Sequence, residues 1–131
     1  MKIIADANTF LAVALNEPEK TQIIKLTTGH ELIAPEVLPY EIGNALTAIM
    51  KRHLLNPDEV TEAWNNTQLI QVELRRTNIR EALKIASKFN IYAYDAYYLE
   101  CASNLKLPLM TLDRRLMEVA REIQIKTIEV L

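Results

Sequence analysis

A three-residue apolar run, Ile3-Ile4-Ala5, stops abruptly at Asp6, and an apolar helical pattern begins at Phe10-Leu11. So short an unbroken run, closed by polar residues, reads as a buried strand. Its carboxyl end delivers an acid. In open parallel α/β sheets, ligands sit just beyond the carboxyl ends of the strands. Asp6 therefore stands where chemistry is done. The competing reading is that Asp6 or Asn8 only caps the next helix, since both are good N-cap residues.

The same alternation runs on through the chain. Helical patterns cover residues 9–15, 18–28, 36–53, 57–67, 79–89, 93–104 and 116–123, and strand patterns cover 31–34, 69–74, 108–112 and 126–130. Leu38, Ile42, Leu46, Ile49 and His53 form one stripe at helical spacing. Pro18 suits the first turn of its helix and Gly29 its far end, while Asn56-Pro57 supplies a cap and a first helical residue. Pro39 falls in or just before a first turn, so that helix can begin as late as Tyr40. Strands alternating with helices imply an α/β fold, a parallel sheet with helices on both faces joined by right-handed crossovers. With two Gly, five Pro and no repeat or linker, residues 1–131 read as one domain.

The net charge of −2 offers no basic excess, so any nucleic-acid binding must use local patches or bound cations. The lone Cys101 has no internal disulfide partner and reads as a small core residue. Nothing suggests an oxidising compartment. Met1-Lys2 leads directly into strand-like sequence with no signal-peptide core, and no apolar run approaches the roughly 18 residues of a membrane span. A cytoplasmic protein is expected.

Three further acids stand out. Asp113 ends a strand as Asp6 does; if those strands are neighbours, the two carboxylates lie side by side, with capping again the alternative. Asp95 opens a helix, Ala93-Tyr94-Asp95-Ala96-Tyr97-Tyr98-Leu99, that is apolar nearly all round and hence mostly buried. An acid in such a first turn either caps the helix or faces a polar cavity, because burial without a partner is costly. Glu41 borders the stripe of its helix, beside Asn44, Ala45 and Ala48, and otherwise reads as a solvated edge.

Four acids do not cluster without a cation. Two unit charges at about 4 Å repel by roughly 1 kcal/mol in water and roughly 4 kcal/mol at an effective dielectric near 20. A set of oxygens without His or Cys is what Mg²⁺ or Mn²⁺ prefers. His30 and His53 lie apart from the acids in sequence and read as surface or edge residues.

These residues, taken in order, resemble the PIN-domain ribonucleases, and among them the short VapC-like toxins of toxin–antitoxin pairs. The resemblance covers essentially the whole chain. Asp6 with Ala7-Asn8-Thr9 resembles the family's opening acid, and Glu41 in Tyr40-Glu41-Ile42-Gly43-Asn44-Ala45-Leu46 the second. Asp95 in Tyr94-Asp95-Ala96-Tyr97-Tyr98-Leu99 resembles the third, and Thr111-Leu112-Asp113 the Thr-x-Asp that carries the fourth. Each motif is weak; four in this order are strongly specific together.

The resemblance implies a three-layer α/β/α fold with a five-stranded parallel sheet in the order 3-2-1-4-5. It also implies hydrolysis of RNA phosphodiester bonds with Mg²⁺ or Mn²⁺. Asp6 and Asp95 are expected as direct ligands, with Glu41 and Asp113 ligating directly, acting through water or orienting the nucleophile. Asn8 and Thr111 are expected to fix carboxylate geometry. Arg114 and Arg115 read either as phosphate contacts or as an exposed helix start, and Lys51-Arg52 and Arg75-Arg76 as solvated surface. A homodimer and an antitoxin partner follow from the same resemblance, with Tyr40, Leu54, Leu55 and Trp64 as apolar contacts or core. Two rivals remain. One is a PIN-like scaffold that binds RNA or protein without cutting. The other is a receiver-type phospho-acceptor domain, which wants an Asp after the third strand, where this chain has Leu74-Arg75-Arg76.

Overall fold

The computed structural model describes residues 1–131. Five strands form one sheet: β1 (Lys2–Ala5), β2 (Glu31–Pro35), β3 (Glu73–Arg75), β4 (Leu109–Met110) and β5 (Thr127–Ile128). Every pairing is parallel and the order is β3-β2-β1-β4-β5. The expected order of strands is therefore the observed one. Seven helices connect them: α1 (Ala7–Ala14), α2 (Lys20–Thr27), α3 (Leu38–Lys51), α4 (Pro57–Gln68), α5 (Ile79–Phe89), α6 (Ala93–Leu105) and α7 (Arg114–Glu122).

β1 is central because it is wholly apolar after Lys2: Ile3, Ile4 and Ala5 are sealed from solvent. Side chains alternate across a strand. Ile4 joins Ile33 and Leu109 in the larger core, under Leu38, Ile42 and Leu46 of α3 and Tyr98, Leu99 and Ala102 of α6. Ile3 and Met110 face the other way and pack with Ala12 and Ile23. Helices thus cover both faces. The chain leaves β1 in one direction to β2 and returns to its other side as β4, so the sheet reverses its order between β1 and β4. A crevice forms at such a point, beyond the strand ends.

Local differences from the sequence reading have physical causes. The third strand lies at Glu73–Arg75 rather than over residues 69–74. Leu69 closes α4 and is 82% exposed, and Ile70 turns back to donate to Thr67 O, so the alternation read there belongs to a helix end and a turn. His53 lies beyond α3 with φ +59°, outside the helix whose stripe it was to continue. Helices α1 and α7 begin two residues earlier than read, because Asp6 and Asp113 cap them. Pro39 sits in the first turn of α3, where its missing N–H costs nothing. Gly29, with φ +82°, takes the left-handed position after α2. Cys101 is buried and unpaired, and burial pushes its thiol up to about 11.

Candidate active site

Asp6 leaves β1 directly into the crevice, and its carboxylate is fully engaged. Oδ1 accepts from the Thr9 backbone N–H at 3.1 Å and from Thr9 Oγ1 at 2.9 Å, which caps α1. Oδ2 accepts from Thr111 Oγ1. That hydroxyl in turn accepts from the Asp113 N–H at 3.0 Å, and Asp113 Oδ1 accepts from the Leu116 N–H at 3.1 Å to cap α7. One continuous chain of hydrogen bonds thus joins the ends of β1 and β4. It exists because those strands are neighbours, with Ala5 paired to Met110.

The other two acids come from helices pointing at the same crevice. Glu41 lies in the first turn of α3, and Tyr98 Oη donates to its Oε1 at 2.7 Å. Asp95 lies in the first turn of α6, whose cap is Tyr92, so Asp95 does no capping. Its half-buried carboxylate has no hydrogen-bond partner. For Asp6 and Asp113 the capping reading holds, since each caps its helix. For Asp95 the capping reading fails.

The acids sense one another. Burial drives the Asp6 carboxyl above the usual carboxylate range; the hydrogen bonds from Thr111 and Thr9 oppose this, and the Asp113 charge adds to it. Burial raises Glu41 as well, against the Tyr98 hydrogen bond and with the charges of Asp6 and Asp95. Asp95 is raised by burial, then by Asp113 and Asp6. Tyr98 is held far above its ordinary value by burial and by Glu41, so it stays a neutral donor. Repulsion of this kind is what a cation would relieve.

Donor chemistry and spacing bear on that cation differently. All four carboxylates offer oxygen, the ligand of hard divalent ions. As the side chains lie, no three His, Cys, Asp or Glu residues close on one point as a ready cage. Mg²⁺ does not require one, since it keeps several waters and is held by one or two carboxylates. The residues fit such an ion.

Two residues expected beside the acids divide. Thr111 bonds Asp6, but Asn8 is exposed and makes no bond to it; Thr9 holds that carboxylate instead. Helix geometry explains the exchange: a cap oxygen reaches the N–H three residues on. Tyr98 was read only as part of an apolar helix, and its spacing of three from Asp95 was the available signal. A cavity of about 490 Å³ opens beside Asp113, lined by Asn8, Leu11, Leu15, Ile49 and Arg52 among others. A larger one of about 780 Å³ runs from Lys2, His30 and Glu31 to Leu38, Pro39 and Ile42 of α3, and none of the four acids lines it. Tyr40 and Leu54 are exposed, whereas Leu55 and Trp64 pack against the core.

Fold and pocket together define a class: an all-parallel α/β protein with an oxygen-only acidic crevice where its strand order reverses. The model of the PIN domain family matches residues 3–122, and the chain belongs to that family. Ribonuclease VapC3 of Pyrobaculum aerophilum is 29% identical over 123 residues, spanning 90% of this chain and 94% of that protein. The crystal structure of PAE2754 from Pyrobaculum aerophilum superposes with a TM-score of 0.66 at 25% identity, covering 91% of this chain and 87% of that one. VapBC2 from Rickettsia felis, solved bound to a DNA fragment from their promoter, matches with a TM-score of 0.66 over 98% of each chain at 9% identity, a likeness of fold. No helix is long and apolar enough to cross a membrane.

Proposed function

We propose that this protein is a Mg²⁺- or Mn²⁺-dependent ribonuclease that hydrolyses RNA phosphodiester bonds, the toxin of a toxin–antitoxin pair. The observation that carries this reading is the placement of Asp6, Glu41, Asp95 and Asp113 at four helix amino ends beyond the carboxyl ends of the strands. The likeness to Ribonuclease VapC3 supports the choice of RNA.

A bound divalent ion supplies a nucleophilic water at neutral pH and offsets negative charge on the attacked phosphate. Asp6 and Asp95 would be the direct ligands. Asp6 is rigid, fixed by Thr9 and Thr111, and sets the position of the centre. Asp95 is free of other bonds and adapts. Tyr98 holds one oxygen of Glu41 and leaves the other without a hydrogen bond, so that it could ligate or orient water. Asp113 completes the set directly or through water. Such an RNA substrate places its work in the cytoplasm.

An antitoxin partner belongs to the same reading. The exposed Tyr40 and Leu54 offer it apolar contacts. A homodimer belongs to the same reading.

The test is incubation with total cellular RNA in Mn²⁺ or in EDTA, followed by mapping of the cut ends. Discrete cuts that need the ion are expected. Asp6→Asn and Asp95→Asn should each abolish them with circular dichroism unchanged. Cleavage surviving in either variant refutes the ligand assignment.

A further inference from the structure

The most uneven feature of the surface lies outside the acid crevice. Residues 75–90 carry Arg75, Arg76, Arg80, Lys84 and Lys88 against the single acid Glu81, a local excess of four positive charges in a chain of net charge −2. Arg80, Lys84 and Lys88 recur every fourth residue along α5, so they stand on one face. All three are exposed, and with Leu83 and Ser87 they line one shallow concavity of about 720 Å³.

A basic stripe is ordinarily a solvated face neutralised by neighbouring acids. This one is barely neutralised. Lys84 pairs with Glu81 at 3.1 Å, but both are open to water, where such pairs are worth little. Neither Arg80 nor Lys88 has a carboxylate within ion-pair distance. Four residues of helix advance about 6 Å. That is comparable to the step between successive phosphates of an extended nucleic-acid strand.

The stripe also leads somewhere. Beyond Lys88, the carbonyl of Phe89 accepts from Arg115 at 3.2 Å, and Arg115 lies two residues past Asp113. The chain then turns at Asn90 and enters α6, which carries Asp95. At the other end of α5, the Asn78 N–H meets Glu100, more than one turn down α6 from Asp95. So Lys88 is the end nearest the acids, continued by Arg115 and Arg114, and Arg80 is the far end. A polyanion approaching an acidic crevice is repelled unless a neighbouring positive field draws it in.

We propose that the α5 stripe Arg80-Lys84-Lys88 is a backbone track: it binds consecutive phosphates of an RNA strand and guides that strand to the acid crevice. The inference rests on the ribonuclease reading and names where that substrate is held. Its contacts are to phosphates, so it adds affinity without sequence preference.

The test is binding of a fluorescein-labelled single-stranded RNA by anisotropy, in EDTA so that no cleavage occurs, across a salt series. Arg80→Ala/Lys84→Ala/Lys88→Ala should weaken binding at least about tenfold at low salt and flatten the log–log salt slope by about 2, the loss of three single-strand phosphate contacts. Lys2→Ala/Lys106→Ala/Lys126→Ala removes the same charge at the amino ends of the strands and should leave affinity and slope near wild type. Arg80→Lys/Lys84→Arg/Lys88→Arg should restore both. Equal losses in the stripe and control variants would overturn the track, as would wild-type binding in the stripe variant. A stripe variant that keeps RNA but loses poly-glutamate would also overturn it and assign the face to an acidic protein partner. Wild-type protein that binds through the stripe but cuts no RNA in Mn²⁺ would uphold the track and sink the ribonuclease reading.

Discussion

Asp6 does two jobs with one carboxylate: it caps α1 and anchors the crevice. Because both oxygens are committed, its position is set before any ligand arrives. Tyr98 plays the corresponding part for Glu41. Tyr98→Phe keeps the packing and removes the donor, and a lost partner of this kind costs a ligand about 10–100-fold in affinity or activity. Cleavage rates in that variant should fall by this factor while its thermal melt changes little. Asp95 behaves oppositely, since nothing holds it, and burial and then the charges of Asp113 and Asp6 raise its carboxyl. Its folded carboxyl keeps its proton to higher pH than in the unfolded chain. Between those two values the folded state binds more protons, so stability falls as pH rises. Without metal, ionisation of Asp95 therefore works against the fold at neutral pH. Asp95→Asn should raise the melting temperature in EDTA at pH 7 by a few degrees and have no such effect near pH 3. A lower melting temperature at pH 7 would show that neither the burial nor the repulsion is felt.

Among the elements, helix starts matter most for placing the site. Glu41 and Asp95 are both in first turns, and Asp6 and Asp113 are both caps, so four helix amino ends converge where the sheet ends. Backbone N–H groups at those ends carry partial positive charge, which favours carboxylates there. Helix α4 shows the local code without the chemistry. Asn56 accepts from the Glu59 N–H at 2.9 Å, and Glu59 returns the bond to the Asn56 N–H at 3.0 Å. Asn56→Ala should cost about 1 kcal/mol in chemical denaturation, the usual worth of a cap, without altering cleavage. The start of α4 was readable because it uses its own local residues. The third strand was not. Leu69 to Leu74 alternates well enough for a strand, yet pairing begins only at Glu73, where β2 supplies partners.

The whole molecule is an acid trap held open by its own core. The repulsion between its carboxylates is offset by apolar burial on both sides of β1, where Ile3 and Ile4 pack into separate clusters. Any ion that binds the folded crevice and not the unfolded chain must stabilise the protein by mass action, about 2.7 kcal/mol at one hundred times its dissociation constant. Millimolar Mn²⁺ should accordingly raise the melting temperature, EDTA should reverse it, and Asp6→Asn should abolish the response. An identical melt with and without the ion would argue against a divalent centre at these acids. The sequence by itself determined the strand–helix alternation and the helix caps, because each is written in neighbouring residues. Only the tertiary structure decided that Thr111 reaches Asp6 from 105 residues away, that Tyr98 reaches Glu41 from 57 residues away, and that Asp95 is left without a partner. Those facts depend on which way side chains point once distant elements pack, and no local pattern encodes that direction.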